Sequence, residues 1–68
     1  MAVIEISFNG EPRSTESRSV IELLKEYNLE GRKIAVERNR EIVQRSAYGD
    51  TPLVSGDRIE IVQFVGGG

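Results

Sequence analysis

Three consecutive glycines, Gly66, Gly67 and Gly68, follow an apolar run at the end of the chain. We expect Gly68 to carry a free, unhindered carboxylate on a flexible tail. Because glycine has no Cβ, such a tail can lie extended in a channel too narrow for side chains, and its last carbonyl is open to attack from most directions. This composition suits activation by another protein's active site. A frayed terminus or a cloning remnant is the competing interpretation.

The rest of the composition limits the possible chemistry. A chain of 68 residues forms one small domain that buries only about 60% of its unfolded surface, which leaves little room for a walled active site. The sequence has no histidine and no cysteine, so the usual general base, metal ligands and thiol nucleophile are missing. We therefore predict a non-enzyme with no catalytic and no metal-binding residue. Any sulfur that the protein handles would have to sit on the terminal carboxylate.

Charge and hydropathy exclude further classes of partner. The formal net charge is −2, and acidic and basic residues are interleaved. The densest basic stretch, residues 32–45, is interrupted by Glu37 and Glu41 and holds no aromatic residue, which is typical of a solvated face. No apolar run approaches the length that spans a bilayer. We expect no nucleic-acid or membrane partner and a soluble, cytoplasmic protein.

The first half of the sequence predicts a hairpin and a helix. Apolar residues alternate over residues 3–8, and the Asn9-Gly10 dipeptide then favours a tight turn into a second strand, Glu11–Thr15. Pro12 cannot donate to a ladder, so we expect that strand to lie at a sheet edge or to pair only in part. Ser19 and Glu22 have the spacing of a capping box at a helix start, before an apolar stripe of Val20, Leu23, Leu24 and Tyr27.

The second half predicts three more strands. Residues 28–31 end the helix, with Gly31 suited to a left-handed turn. Residues 33–38 and 41–44 predict two short strands joined by a turn at Asn39-Arg40, and residues 46–52 predict a loop that could include one helical turn. Residues 58–65 form the longest β-type run, with Ile59 and Ile61 on one face and Val62 and Phe64 on the other, as in a central strand.

This element order predicts an α+β fold: a mixed sheet of about five strands with one main helix packed on one face, as in the β-grasp, or ubiquitin-like, roll. We expect a β-grasp domain over residues 1–65 and a glycine tail over residues 66–68.

Three segments resemble the ThiS family of sulfur carriers. They are Ile-Ala-Val-Glu-Arg-Asn at 34–39 with Glu-Ile-Val at 41–43, Gly-Asp-Arg-Ile-Glu-Ile-Val at 56–62, and Phe-Val-Gly-Gly-Gly at 64–68. The similarity extends over nearly the whole chain and is weakest in its N-terminal third. The combination of the Val-Glu-Arg-Asn segment, the Gly-Asp turn and the terminal diglycine is more specific than any one of them.

The resemblance implies a protein substrate rather than an enzyme. A ThiF-type adenylating enzyme would use ATP to join the Gly68 carboxylate to AMP, and a persulfide donor would then leave a thiocarboxylate that thiazole synthase, of the ThiG type, uses in thiamine biosynthesis. No bound cofactor is implied. Gly67 would let the tail enter the partner's channel, and Gly66 would add flexibility.

The apolar residues before the tail, Val62, Phe64 and Val65, predict an anchor for the adenylating enzyme or the synthase, although a strand end that is apolar on both sides is as often buried core. The acidic residues Asp50, Asp57 and Glu60 could pair with a basic partner surface, but turn chemistry and a solvated strand face also explain them. The loop at 47–53 could be a second contact, but it carries no chemistry.

Other functions fit the same fold. A MoaD-type carrier for molybdopterin would share the diglycine but tends to have different residues before it, and a carrier for another sulfur pathway would look almost the same. A ubiquitin-like modifier would form isopeptide adducts through Gly68. A plain β-grasp interaction module would function without Gly67 and Gly68.

Overall fold

The structure is a computed structural model that describes residues 2–64. They form a mixed sheet of five strands and one α-helix. In chain order the elements are β1 (Ile4–Phe8), β2 (Glu11–Thr15), α1 (Val20–Glu26), β3 (Ile34–Arg38), β4 (Glu41–Val43), a 3₁₀ turn (Arg45–Ala47) and β5 (Arg58–Gln63).

The last strand, β5, lies at the centre of the sheet, whose order is β2-β1-β5-β3-β4. It runs parallel to β1, with Phe8 opposite Ile59, and antiparallel to β3, with Val36 opposite Ile61. Strand β2, which contains Pro12, lies at an edge, where a missing N–H costs no ladder bond. The predicted β-grasp arrangement, the edge position of β2 and the central position of the last strand are therefore confirmed.

Two hairpin turns are built on asparagine. Asn9 and Gly10 have φ of 51° and 84°, and Asn39 and Arg40 have φ of 53° and 73°. Positive φ at both central residues is the requirement of a type I′ turn, whose twist matches that of the paired strands. Both turns were predicted from the sequence. Arg40 adopts a left-handed conformation that few side chains other than asparagine tolerate.

The helix α1 begins with a modified capping box. Ser19 Oγ accepts a hydrogen bond from the Glu22 N–H at 3.3 Å, as predicted. The Glu22 carboxylate, however, accepts from the N–H of Arg18 at 2.7 Å and not from that of Ser19. The cap therefore reaches one residue further upstream than the spacing predicted.

The helix α1 ends where the sequence predicted, before residues 28–31. Gly31 is left-handed as predicted, with φ of 81°, and Asn28, with φ of 60°, occupies an earlier left-handed position. The N–H of Leu29 donates to the Leu24 carbonyl at 2.7 Å and the N–H of Asn28 to the Lys25 carbonyl at 3.2 Å. These two bonds form a Schellman motif, in which the side chain after the left-handed residue packs back on the helix. Leu29 does so, against the core.

The core lies between α1 and one face of the sheet. Its buried members are Ile6, Val20, Leu23, Leu24, Val36, Tyr48, Leu53, Ile59 and Ile61. Tyr48 and Leu53 come from the segment predicted as a connecting loop, which does contain a helical turn. Carbonyls of this segment also accept from the first amides of α1: Val20 N–H donates to Thr51 and Ile21 N–H to Tyr48, both at 3.0 Å. The segment therefore holds the start of α1.

Across residues 2–64 no helix is both long and apolar enough to cross a membrane.

Candidate functional site

The predicted reactive tail and part of its predicted anchor, Val65, Gly66, Gly67 and Gly68, lie outside the described residues. The described part of the candidate site is the end of β5, from which the tail continues. It comprises β5 itself, the neighbouring strands and the residue that follows β5, Phe64.

The end of β5 exposes its apolar side chains. Val62 and Phe64 are 58% and 62% exposed, whereas Ile59 is fully buried. Because side chains alternate along a strand, Val62 faces away from α1 while Ile59 and Ile61 face it. The alternative that Val62 and Phe64 are buried core is therefore wrong, and both are available to a partner.

The exposed face of the sheet extends the apolar surface beyond β5. Val62 lies opposite Ala35 of β3, and Ile42 of β4 lies opposite Glu37 on the same face. We call Ala35, Ile42, Val62 and Phe64 the apolar patch. Ile42 is 61% exposed. Sequence reasoning missed Ile42 as a site residue, although its place in an alternating run, next to the half-buried Val43, is the signal that could have found it.

Hydrogen bonds hold the end of β5 from two sides. The N–H of Phe64 donates to the Lys33 carbonyl at 3.0 Å, which continues the ladder with β3. On the β1 side, the Asn9 side-chain Oδ1 accepts from the N–H of Ile61 at 2.7 Å. The pairing of this strand with β3 thus continues up to the last described residue, Phe64.

The acidic residues predicted as possible partner contacts have different environments. Asp57 is only 4% exposed, so it cannot contact a partner; its role is turn chemistry. Its carboxylate accepts from the Arg38 guanidinium at 2.9 Å, the Asn39 amide at 3.0 Å and the Val54 N–H at 2.9 Å. Glu60 is paired with Arg58 at 2.8 Å on the exposed face. Asp50 is exposed.

Burial of Asp57 by itself raises the pKa of its carboxyl. The hydrogen bonds from Val54, Asn39 and Arg38, together with the Arg38 charge, outweigh this effect and hold the pKa below its usual value. The group is therefore a structural anion that ties the start of β5 to β3, at the end of the strand opposite the tail.

A groove elsewhere on the surface lies far along the sheet from the tail. It is lined by Val3, the end of β2 and the helix residues Glu22 and Glu26. The Glu26 carboxylate accepts from the hydroxyls of Thr15 and Ser17. Because β1 and β5 are parallel, this groove at the start of β1 is at the opposite end from the apolar patch. In the part of the chain that is described, no group of three or more His, Cys, Asp or Glu side chains is placed to hold a metal ion.

Comparison with known proteins identifies the family. The model of the ThiS family matches residues 6–68, which include the glycine tail and the whole sheet except the first two residues of β1. The chain belongs to the ThiS family. Among individual relatives, this ThiS-family chain is 43% identical over 53 residues to the sulfur carrier protein ThiS of Bacillus subtilis, covering 78% of this chain and 80% of that protein.

A second kind of relative is larger. The ThiS-family chain is 44% identical over 66 residues to a thiazole synthase of Paramagnetospirillum magneticum, a match that covers 96% of this chain but only 20% of that protein. The chain thus spans about a fifth of the length of that relative.

The fold agrees with a solved structure of the same family. The crystal structure of the thiamine biosynthesis protein ThiS from Geobacter metallireducens superposes with a TM-score of 0.81 at 30% identity, and the match covers 96% of this chain and all of that one. The resemblance that the sequence motifs indicated is confirmed at the levels of sequence and fold.

Proposed function

We propose that this chain is a sulfur carrier in thiamine biosynthesis, whose Gly68 carboxylate is converted to a thiocarboxylate that supplies sulfur for the thiazole ring. The family match over residues 6–68 carries the proposal, since it includes the glycine tail as well as the fold. The names of the similar proteins from Bacillus subtilis and Geobacter metallireducens support it.

The chemistry needs three steps, and only the second takes place at the carbonyl carbon of Gly68. An oxygen of the Gly68 carboxylate attacks the α-phosphorus of ATP, and the bond to pyrophosphate breaks, which gives an acyl adenylate. The terminal sulfur of a persulfide then attacks the carbonyl carbon, and AMP leaves with the bridging oxygen. A thiol finally reduces the resulting sulfur–sulfur bond, releasing the thiocarboxylate and forming a disulfide with the donor's sulfur.

The partners supply the groups that this chain lacks. The sequence has no cysteine, so the persulfide and the reducing thiol belong to other proteins or small thiols. A carboxylate is a poor electrophile, and the charge that develops on the phosphorus and the carbonyl oxygen needs stabilisation by preorganised donors in an enclosed site. A ThiF-type adenylating enzyme would provide that site and would consume the ATP. The carrier is a protein substrate in the cytoplasm, without catalysis or bound cofactor of its own.

Thiazole synthase is the proposed sulfur acceptor. A segment similar to nearly the whole of this chain makes up 20% of the thiazole synthase from Paramagnetospirillum magneticum. Two domains joined in one protein commonly work on one process, because the linkage raises their effective concentration. We infer that the separate carrier delivers its sulfur to a ThiG-type synthase.

The apolar patch is the proposed docking surface for these enzymes. Val62 and Phe64 are exposed apolar side chains next to the tail, and Val65 would extend the anchor in sequence. Apolar anchors of this kind supply much of the free energy of binding when a partner's pocket desolvates them. The glycine tail would then follow into the active site.

Intact-protein mass spectrometry tests the proposed function. The chain is incubated with ATP, a ThiF-type adenylating enzyme, a persulfide donor and a thiol, with a variant that lacks Gly67 and Gly68 as the control. We expect the mass change of one oxygen replaced by sulfur in the complete chain alone. Isopeptide adducts on other proteins would instead indicate a modifier. No change with an enzyme that is active on a known carrier would overturn the proposal.

A further inference from the structure

Asn9, the residue that follows β1, continues the attachment to β5 through one backbone bond and one side-chain bond. The last residue pair in the parallel register is Phe8 with Ile59. The next residue, Asn9, still donates its N–H to the Ile59 carbonyl at 2.9 Å. In a regular parallel ladder, the carbonyl of Asn9 would then accept from the N–H of Ile61.

The left-handed turn prevents that backbone bond. Asn9 has φ of 51° because the chain reverses here into β2, so its own carbonyl leaves the ladder. The side-chain Oδ1 takes the carbonyl's place and accepts from the Ile61 N–H at 2.7 Å. Asparagine suits this position for two reasons: it tolerates positive φ, and its short side chain carries an amide oxygen that can accept the bond.

This bond lies near the end of β5, the strand from which the chain continues to the tail. Within residues 2–64 the pairing of β1 with β5 ends before Ile61, so Asn9 holds the β1 side of β5 at the point closest to the tail. Further along, β5 is held from the β3 side, where Phe64 bonds to Lys33. The direction in which the chain continues from β5 therefore depends on the Asn9–Ile61 bond on one side and the Lys33–Phe64 bond on the other.

We propose that Asn9 is a positioning residue for the C-terminal carboxylate: by fixing Ile61 it sets the direction of the tail and so the approach of Gly68 to the partner's reactive groups. This rests on the proposed function. Orientation matters here because the reacting group is outside the folded domain, and a misplacement of about 1 Å can cost roughly 100-fold in rate.

The structure offers a matched control at the other end of β5. Asn39, in the second hairpin turn, donates its N–H to the Arg58 carbonyl at 2.8 Å and accepts from the Arg58 N–H with its Oδ1 at 2.9 Å. Its amide also donates to Asp57. Asn39 thus bonds to β5 as Asn9 does, through its backbone N–H and its side-chain oxygen, but at the start of the strand, away from the tail. Loss of the Asn39 side chain should lower the free energy of unfolding at least as much as loss of the Asn9 side chain.

Three variants separate positioning from folding. Asn9→Gly keeps the positive φ of the turn but removes the acceptor, Asn9→Asp keeps an acceptor oxygen, and Asn39→Gly removes the side-chain bonds at the start of β5. Each is first tested for folding by NMR and by urea denaturation. Steady-state adenylation is then followed as pyrophosphate release by a ThiF-type enzyme, with the carrier concentration varied, and the Ile61 amide is monitored by hydrogen exchange.

For Asn9→Gly we expect kcat to fall roughly fivefold to tenfold, the range that one hydrogen bond of ordinary strength can control, with KM for the carrier changed less than about twofold because the docking surface is intact. Exchange of the Ile61 amide should become faster. Asn9→Asp should restore both values, and Asn39→Gly should leave kcat unchanged despite its lower stability.

Several results would overturn the proposal. If Asn9→Gly and Asn39→Gly lower kcat equally, the effect is one of stability alone. If Ile61 exchanges faster but kcat is unchanged, the bond does not direct the tail. If the unaltered chain is not adenylated, the proposed function fails, and the positioning role fails with it. If the unaltered chain is adenylated and only the expectation for Asn9→Gly fails, the positioning role alone is wrong.

Discussion

On the helix side of β5, Ile59 and Ile61 are buried in one cluster with Leu23 and Leu24 of α1; on the other side, Val62 is exposed, as is Phe64 just beyond the strand. Residues of similar hydrophobicity thus have opposite environments within one short strand. The buried side chains stabilise the fold because folding removes their apolar surface from water. The exposed side chains contribute little to the stability of the fold. An exposed apolar surface next to a functional tail is typical of a surface that a partner buries on binding.

The comparison predicts that the two faces respond differently to truncation, and the buried face should give the largest effect. Ile59→Ala should lower the free energy of unfolding by about 2–5 kcal/mol, through lost burial and the cavity left behind. Ile42→Ala, on the exposed face, should cost less than about 1 kcal/mol, since only strand propensity and partial burial change. Urea denaturation followed by circular dichroism measures both.

A domain this small has little stability to spare, so Ile59→Ala is measured at low temperature, with Ile59→Val as a milder variant that should cost about 0.5–1.5 kcal/mol. Equal losses for the buried and the exposed isoleucine would show that the exposed face also carries the fold, and the division between the faces would be abandoned.

The buried carboxylate of Asp57, just before β5, should contribute to stability. Asp57→Asn should lower the free energy of unfolding by about 1–3 kcal/mol at neutral pH. The substitution places amide hydrogens against the donors Arg38 and Val54, and it removes the buried negative charge to which they donate. Asn39, which donates to the other carboxylate oxygen, would keep an acceptor. Thermal unfolding at neutral pH measures the loss.

The pH dependence of that loss has a defined sign. The pKa of Asp57 is lower in the folded state than the ordinary value, so the unfolded chain binds the proton more readily. Its contribution to stability is complete above the unfolded pKa of about 3.9 and is lost as the pH falls through the lower, folded pKa. The stability difference between Asp57→Asn and the unaltered chain should therefore shrink below about pH 4. A difference that grows on acidification would contradict this assignment.

The smallest expected effect on stability belongs to the exposed face, where binding should change instead. Phe64→Ser should leave the free energy of unfolding within about 0.5 kcal/mol. It should lower kcat/KM for adenylation by about 10- to 30-fold, the equivalent of about 1.4–2 kcal/mol of lost docking. Gln63→Ser, which changes an exposed polar neighbour, is the control and should alter neither. If Phe64→Ser melts the domain, the side chain is part of the fold after all.

Local patterns in the sequence were sufficient for most of the fold. The alternation in β1 and β5, the stripe of α1 and the two asparagine turns were all predicted in place, because each depends on residues close together in the chain. The segment over residues 46–53 was harder to predict. Tyr48 and Leu53 belong to the core although they lie in an irregular segment without periodicity, where burial depends on which elements the fold brings above them.

The ends of α1 were predicted as segments and not in detail. Gly31 has the predicted left-handed conformation, but Asn28, at the start of the predicted stop segment, turns the chain first. Both residue types tolerate positive φ, and the choice between them depends on where the packing of Leu29 against the core stops the helix. Likewise, the spacing of Ser19 and Glu22 located the helix start, while the folded chain decided which upstream amide the carboxylate would reach.

The sequence by itself determined the order and type of the elements, the absence of histidine and cysteine chemistry, and the glycine tail with its resemblance to sulfur carriers, since composition and spacing are local properties. Only the tertiary structure decided which apolar residues are buried, because Val62 and Ile61 are adjacent in the chain and differ in the face that α1 covers. It also brought Asn9 to Ile61. No local pattern encodes a bond between residues so distant in sequence, which forms only when β5 enters the centre of the sheet.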